Sequence, residues 1–363
     1  MASVKNIAIN LGSTSTKIAY YEDGKPICSE SLSHDPALLV GMKDIWEQYD
    51  LRKAAIDTFM KEHNIDLDEL DAFSSRGGHT EPIIGGTYRI NEQMLAQNRS
   101  GKYGVHVGNV GLQLAYEYAT RSRKAIPMTT DLPTTDELEP LARISGLNGI
   151  DREARFQALN HRAMSRAYAE SIGRRYEDMN LVVAMLGGGI TVAAHKRGRM
   201  VDGPDGLTGE GPFSNNRTGT LPAGQLVKMC FSGKYTEKEM LRKINGEGGL
   251  VSYLGTTDIR AIENAVGEGD EHSRLILEAM CYQTAKEIGA MATVLEGDID
   301  AILLIGGMAN STFITFEIKK RVGFFAPVVI LPGEREMESL CLSAYRVLTG
   351  QEELHEFKAT KEV

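Results

Sequence analysis

The chain has 363 residues, 42% hydrophobic and 25% charged, the balance of an ordinary soluble globular protein and long enough that two domains are the default. Its net charge of -9, with no basic run, argues against nucleic acid or an acidic membrane surface as the main partner, so an anionic ligand must be held by local groups. The four cysteines are far apart, the eight histidines lack ligand spacing, "MASVKN" has no apolar signal core and "LVVAMLGGGITVAA" is too short and glycine-broken to span a bilayer; a reduced, cytoplasmic protein is expected.

In chain order, "NIAINLGSTSTKIAYYEDGKPI" reads as a strand, a small polar turn, a second strand and an "EDG" turn. The turn "NLGSTSTK", Asn10 to Lys17, is poor in core formers and rich in groups that hold anions. Asp151 to Tyr176 reads as a helix. "LVVAMLGGGITVAAHKRGRMVDG" then repeats the opening pattern: Gly187 falls 175 positions after Gly12, and Gly198 falls 174 after Gly24. Such an echo is what a duplicated domain would leave. Glu271 to Glu296 has apolar positions at helical spacing and reads as a long core helix. A third glycine turn follows the strand in "AILLIGGMANS". The last helix is expected from Glu334 to Leu348, after Pro332-Gly333, and the tail "GQEELHEFKATKEV" reads as charged and frayed. One glycine or hydroxyl turn per half suggests a phosphate chain held between two domains, since backbone N–H groups in such turns converge on anions. Neither a Walker A pattern nor G-x-G-x-x-G occurs.

These residues also match a family. "INLGSTSTK" closely resembles the N-x-G-S-x-S-x-K signature of the acetate kinase family. The wider chain looks like its butyrate kinase branch through "SRGG", "PIIGGTYRINE", "DELEPLARISG", "TGEGPFSNNRTGTLPAGQL", "CFSGKYTEKEM", "GGLVSYLGTTD", "YQTAKEIGAMA" and "APVVILPGEREMESL". The resemblance spans essentially the whole chain. It implies an α/β, duplicated two-domain actin-like (ribonuclease H-like) fold with an interdomain cleft. One domain would comprise 1–148 plus 332–363; the other, 149–331, would bind nucleotide and form a homodimer or higher homo-oligomer.

The activity implied is reversible, magnesium-dependent transfer of the γ-phosphoryl of ATP to a short-chain carboxylate, with butyrate first, giving an acyl phosphate and ADP. Two anions must meet, so positioning and neutralisation should dominate. Arg76 and Arg217 match the family's catalytic arginines, whose planar fork suits carboxylate or phosphoryl oxygens, and are expected on opposite walls of one cleft. Asp131 and His106 match further active-site positions. Asn10, Ser13, Ser15 and Lys17 form the phosphate-side turn, and Gly187, Gly188 and Gly189 the second turn. Asp258, Arg260, Gly306 and Gly307 fall on the adenosine side. Glu336 matches a magnesium-linked glutamate, with Glu334 the alternative register; magnesium suits a carboxylate plus phosphates. Relatives carry histidines where this chain has Gln157, with His161 one helical turn on, and Met185. Those departures leave open another short or branched acid as substrate, or a nucleotide-binding regulatory relative with weakened chemistry.

Overall fold

The strand leading into Asn10 is β1 (Lys5–Leu11), buried at every position but its first, as expected of a central strand with both faces covered. It pairs antiparallel with β2 (Ser15–Glu22), which pairs antiparallel with β3 (Lys25–Ser33). On its other side β1 runs parallel to β4 (Ala72–Ser75), and β4 parallel to β6 (Ile126–Thr130), with β5 (Thr87–Arg89) antiparallel at β6. The same topology recurs further along. Strand β7 (Asn180–Leu186) pairs antiparallel with β8 (Ile190–Lys196), β8 with β9 (Arg199–Asp202), and β7 parallel to β10 (Ala301–Gly306), which is parallel to β11 (Val328–Pro332).

The computed structural model describes residues 3–360. Within it the repeat is close: β1 and β7 start at Lys5 and Asn180, β2 and β8 at Ser15 and Ile190, in each case 175 positions apart. The hairpin after each also matches. Asp23-Gly24 and Arg197-Gly198 both take positive φ (49° and 73°; 48° and 82°), the turn that follows the right-handed twist of paired strands.

Each sheet is covered on both faces. In the second, Val182, Ala184, Leu186, Ile302 and Leu304 pack with Leu277, Met280, Cys281, Ile288 and Met291 of the helix Glu271–Val294. The alternate residues Leu181, Val183, Met185, Leu303 and Ile305 pack with Met164 and Tyr176. In the first, Ile7, Ile9 and Leu11 pack with Ile56, Phe59, Val110 and Leu112, while Ala8 and Ala19 meet Leu340 and Cys341 of the helix Glu336–Leu348.

The chain divides into two units. One holds the residues through Thr135, Ala158–Asn160 and those from Arg335 onward; the other holds Asp136–Gln157 and His161–Glu334. Asp136 falls in the second because its carboxylate takes both arms of Arg143 (2.8 and 2.7 Å) and the Glu139 N–H donates to the Val201 carbonyl.

Three elements differ from the sequence reading. The helix expected over Asp151–Tyr176 is confined to Ala158–Ser171, because 151–157 engage the second unit through Arg152 to Asp202 and Glu210 and the Arg155–Asp205 bridge. The last helix starts at Glu336, since Gly333 still exchanges two backbone hydrogen bonds with Gly306. The tail is ordered rather than frayed over 350–360: β12 (Leu354–Glu356) adds parallel to β5 at the edge of the first sheet, and Phe357 is buried behind it, while 361–363 lie outside the described residues.

Candidate active site

Parallel β1, β4 and β6 deliver their C-terminal ends to one edge of the first sheet, where ligands of open α/β sheets bind. Asn10 stands at the end of β1, Arg76 directly after β4 and Asp131 directly after β6. Asn10 Nδ2 donates to Glu336 Oε2 at 2.7 Å, and Arg76 Nη2 lies 3.3 Å from Glu336 Oε1. Glu336, in the first turn of its helix, thus joins the two residues; Glu334 belongs to the other unit. Lys17 is the cross-strand partner of Asn10, so both side chains share a face of the sheet, with Lys17 exposed. The chain after Arg76 is tightly specified: Gly77 has φ +77°, and a Cβ there would sit 2.2 Å from Leu132. Asp131 also takes a positive φ (44°), and its carboxylate accepts from the Gly86 N–H at 2.9 Å.

His106 adjoins this edge. Its Nδ1 accepts from the Gly108 N–H at 3.0 Å, which assigns the ring proton to Nε2 as an outward donor. Burial, reinforced by the Arg76 charge and by His79, pushes its pKa down to about 4, so it is neutral near pH 7. His106 also lines a cavity of about 420 Å³ whose walls include Pro36, Leu39, Ile45, Val105 and Val107, with Ser13 and Thr14 at its polar end.

Arg52 is a residue the sequence reading missed. It is fully buried, and its guanidinium donates to the carbonyls of Gly12, Ser13 and Ser15 underneath the first turn. The available signal was its spacing: Arg52, Ile56 and Phe59 share the buried face of the helix Tyr49–Glu62, where an arginine is out of place unless its head group is used.

In the second unit the Gly187–Gly189 turn follows β7, with the Gly187 N–H bonded to the Gly189 carbonyl and Ser214 Oγ donating to the Gly188 carbonyl. Arg217 lies against it: a Cβ on Gly189 would fall 2.2 Å from Arg217 Nη1. That nitrogen donates to the Gly206 carbonyl at 3.1 Å, while the buried Nε has no partner. Among the described residues no carboxylate pairs with this guanidinium within 4.0 Å, and burial lowers its pKa despite nearby Asp205.

A cavity of about 780 Å³ brings together Gly187, Gly188, Asp258, Arg260 and Gly307. Asn215, Glu263, Met308, Asn310 and Ser311, not singled out from the sequence, also line it, together with Thr257 and Ile259. Asp258 caps the helix Ile259–Gly267 by accepting from Arg260 and Ala261 N–H groups, and Ser311 caps the helix Thr312–Val322 while binding Glu263. Gly306 is not part of this lining. Its φ of +89° lets β10 approach β7, where a Cβ would meet the Leu186 carbonyl at 2.5 Å.

Gln157 does not ride on a helix beside His161, as its spacing suggested. It occupies the N-cap position, makes no capping bond, and its Oε1 is buried without a partner. His161 turns into the core, bonded to His195 (3.3 Å) and Thr191 (3.0 Å); burial drives both histidines far down, His161 to about 3. Met185 is buried in the apolar face of β7. Among the described residues no group of three His, Cys, Asp or Glu could enclose a metal, and no helix is long and apolar enough to cross a membrane.

Two repeats of the β1–β2–β3/β4/β6 arrangement, each with a turn after its first strand, define a duplicated actin-like α/β fold. The model of the Acetokinase family matches residues 146–326, a span that holds Gln157, the Gly187–Gly189 turn, Arg217 and the 780 Å³ cavity. Among solved structures, acetate kinase from Porphyromonas gingivalis is similar with a TM-score of 0.76 at 18% identity, covering 95% of this chain and 100% of that one. A propionate kinase from Francisella tularensis subsp. tularensis SCHU S4 gives 0.75 at 15%, covering 93% and 98%. Acetate kinase from Entamoeba histolytica gives 0.73 at 14%, covering 96% and 99%.

Proposed function

We propose that this protein is a carboxylate kinase of the acetokinase family, transferring the γ-phosphoryl of ATP to a short-chain acid. The observation that carries the reading is Arg76, held through Glu336 to Asn10 at the C-terminal edge of the parallel strands. A carboxylate oxygen forms the new P–O bond as the bond to the β-phosphate bridging oxygen breaks, and ADP leaves with that electron pair. No proton is taken from the attacking carboxylate, so the site needs no general base. It needs fixed positive charge and hydrogen-bond donors instead. Each unit offers such donors: Arg76, Lys17 and neutral His106 with its Nε2–H in the first, and in the second the Arg217 guanidinium, which pairs with no carboxylate among the described residues.

Nucleoside is assigned to the 780 Å³ cavity, with Asp258, Arg260 and Gly307 among its contacts and the Gly187–Gly189 turn toward the phosphates. Glu336 bonds to Asn10 and lies against Arg76, and its carboxylate would suit magnesium brought in on phosphate oxygens. For the acid, the apolar cavity beside His106 favours an alkyl chain over the methyl of acetate, and butyrate is the first candidate. A homo-oligomer is supported by the helix Ala223–Cys230, which buries none of its residues and ends at exposed Phe231. The four thiols are free, in keeping with a cytoplasmic setting.

Coupled ADP-release assays with magnesium and a panel from formate to hexanoate, including branched acids, test this. A maximum at three to five carbons is expected. Nucleotide binding without turnover on any acid would replace the reading with that of a regulatory relative.

A further inference from the structure

We propose that Arg52 is a positioning residue that holds the first turn in its anion-receiving form and stands behind it as a buried positive charge. This rests on the reading that the turn receives phosphoryl oxygens.

The side chain is fully buried, yet no carboxylate among the described residues pairs with it. Its Nη1 donates to the Ser15 carbonyl (2.6 Å) and Thr16 Oγ1 (3.1 Å). Its Nη2 donates to the carbonyls of Gly12 (2.8 Å) and Ser13 (3.3 Å), and both Nε and Nη2 reach Gln48 Oε1. The Thr14 carbonyl is taken by the His34 N–H at 2.8 Å. Every carbonyl from Gly12 to Ser15 except that of Thr14 is therefore turned toward one guanidinium. The consequence lies on the opposite side of the peptide planes: the N–H groups of exposed Ser13 and Thr14 find no protein acceptor among the described residues. Successive free N–H groups on a concave turn are an anion site.

The charge points the same way. A guanidinium removed from water without a counter-ion is costly, even with its N–H groups bonded to carbonyls. An anion seated on the N–H side would supply that counter-charge through a single layer of backbone. The second turn is built otherwise: its Gly188 carbonyl accepts from Ser214 Oγ, and the Arg217 guanidinium lies against Gly189 while donating to the Gly206 carbonyl.

The test uses the full-length protein with Arg52→Gln, which keeps two donors but no charge, Arg52→Lys, which keeps charge but no fork, and Gln48→Ala, which only loosens the fork's anchor. Thermal midpoints are measured with and without inorganic phosphate, folding is checked by circular dichroism, and kcat/KM for ATP is measured with the best acid. The parent is expected to be stabilised by phosphate and Arg52→Gln to lose that increment, with kcat/KM falling about tenfold or more, Arg52→Lys intermediate and Gln48→Ala mildly affected. Phosphate protection undiminished in Arg52→Gln or, should that variant not fold, in Arg52→Lys would overturn the proposal. If the parent turned over no acid, the proposed function would fall while phosphate protection and its dependence on Arg52 would still be measurable.

Discussion

Acid should unfold this protein through two histidines that never meet solvent. His161 and His195 are both fully buried, stacked with ring centroids 5.5 Å apart, and their nitrogens are bonded to each other, to Thr191 and to the Tyr176 hydroxyl. Burial is the first cause of the depression in each, with the neighbouring ring and Arg162 adding to it for His195. Unfolded, each returns to about 6.5. Because the folded pKa lies below the unfolded one, the unfolded chain binds more protons below pH 6.5. The contribution of the pair is thus whole above pH 6.5 and declines as pH falls, levelling only near the folded value of about 3 for His161. At pH 5 each histidine takes up close to one proton on unfolding, and two protons correspond to about 2.7 kcal/mol per pH unit. Between pH 6.5 and 5 that amounts to roughly 3 kcal/mol, a large share of a typical 5–15 kcal/mol total. The clean measurement is differential: proton uptake on urea unfolding at pH 5, parent against a His161→Asn/His195→Gln double variant. His106, Asp202 and Glu287 titrate alike in both and cancel. The parent should take up about two protons more. A difference near zero would mean that the pair is already charged in the fold, and the reasoning would fail.

Three other expectations follow from the same structure. Arg76→Ala and Arg217→Ala should each cost on the order of 2–4 kcal/mol in kcat/KM, with lysine rescuing poorly because a point charge cannot replace the fork; near-complete rescue by lysine would argue for bulk charge alone. Gln157→Ala should lower kcat about tenfold with KM for ATP unchanged, whereas Gln157→His should preserve or raise kcat near neutral pH; parental kcat in the alanine variant would leave Gln157 a pocket wall. Phe357→Ala should cost about 3 kcal/mol in urea unfolding, since it empties a buried site under β12, and a loss below about 1 kcal/mol would mean that the tail contributes little.

Much of the architecture was legible in the chain because it is written in local patterns. The strand–turn–strand repeat at a spacing of 175, the glycine turns after β1, β7 and β10, and the helical periodicity of 271–294 each depend on residues close in sequence. The resemblance to acetate kinase motifs singled out Arg76, Glu336 and Asn10, each in its own short stretch, and the structure puts Glu336 beside both of the others. What no local pattern carries is contact across distance. That Glu336 reaches Asn10, 326 positions away, is decided by the docking of the C-terminal helix on the β1 face. The tail looked frayed because its charges are read one by one; pairing with β5 and burial of Phe357 come from an edge that only the folded sheet presents. His161 could not be told from a site histidine by spacing alone, because which face of a helix turns inward is set by what packs on it. Arg52 is the sharpest case. An arginine amid apolar positions looks like a flaw until the turn whose carbonyls take its Nη1 and Nη2 donors is folded above it, and burial of a charge is a property of the surroundings rather than of the residue.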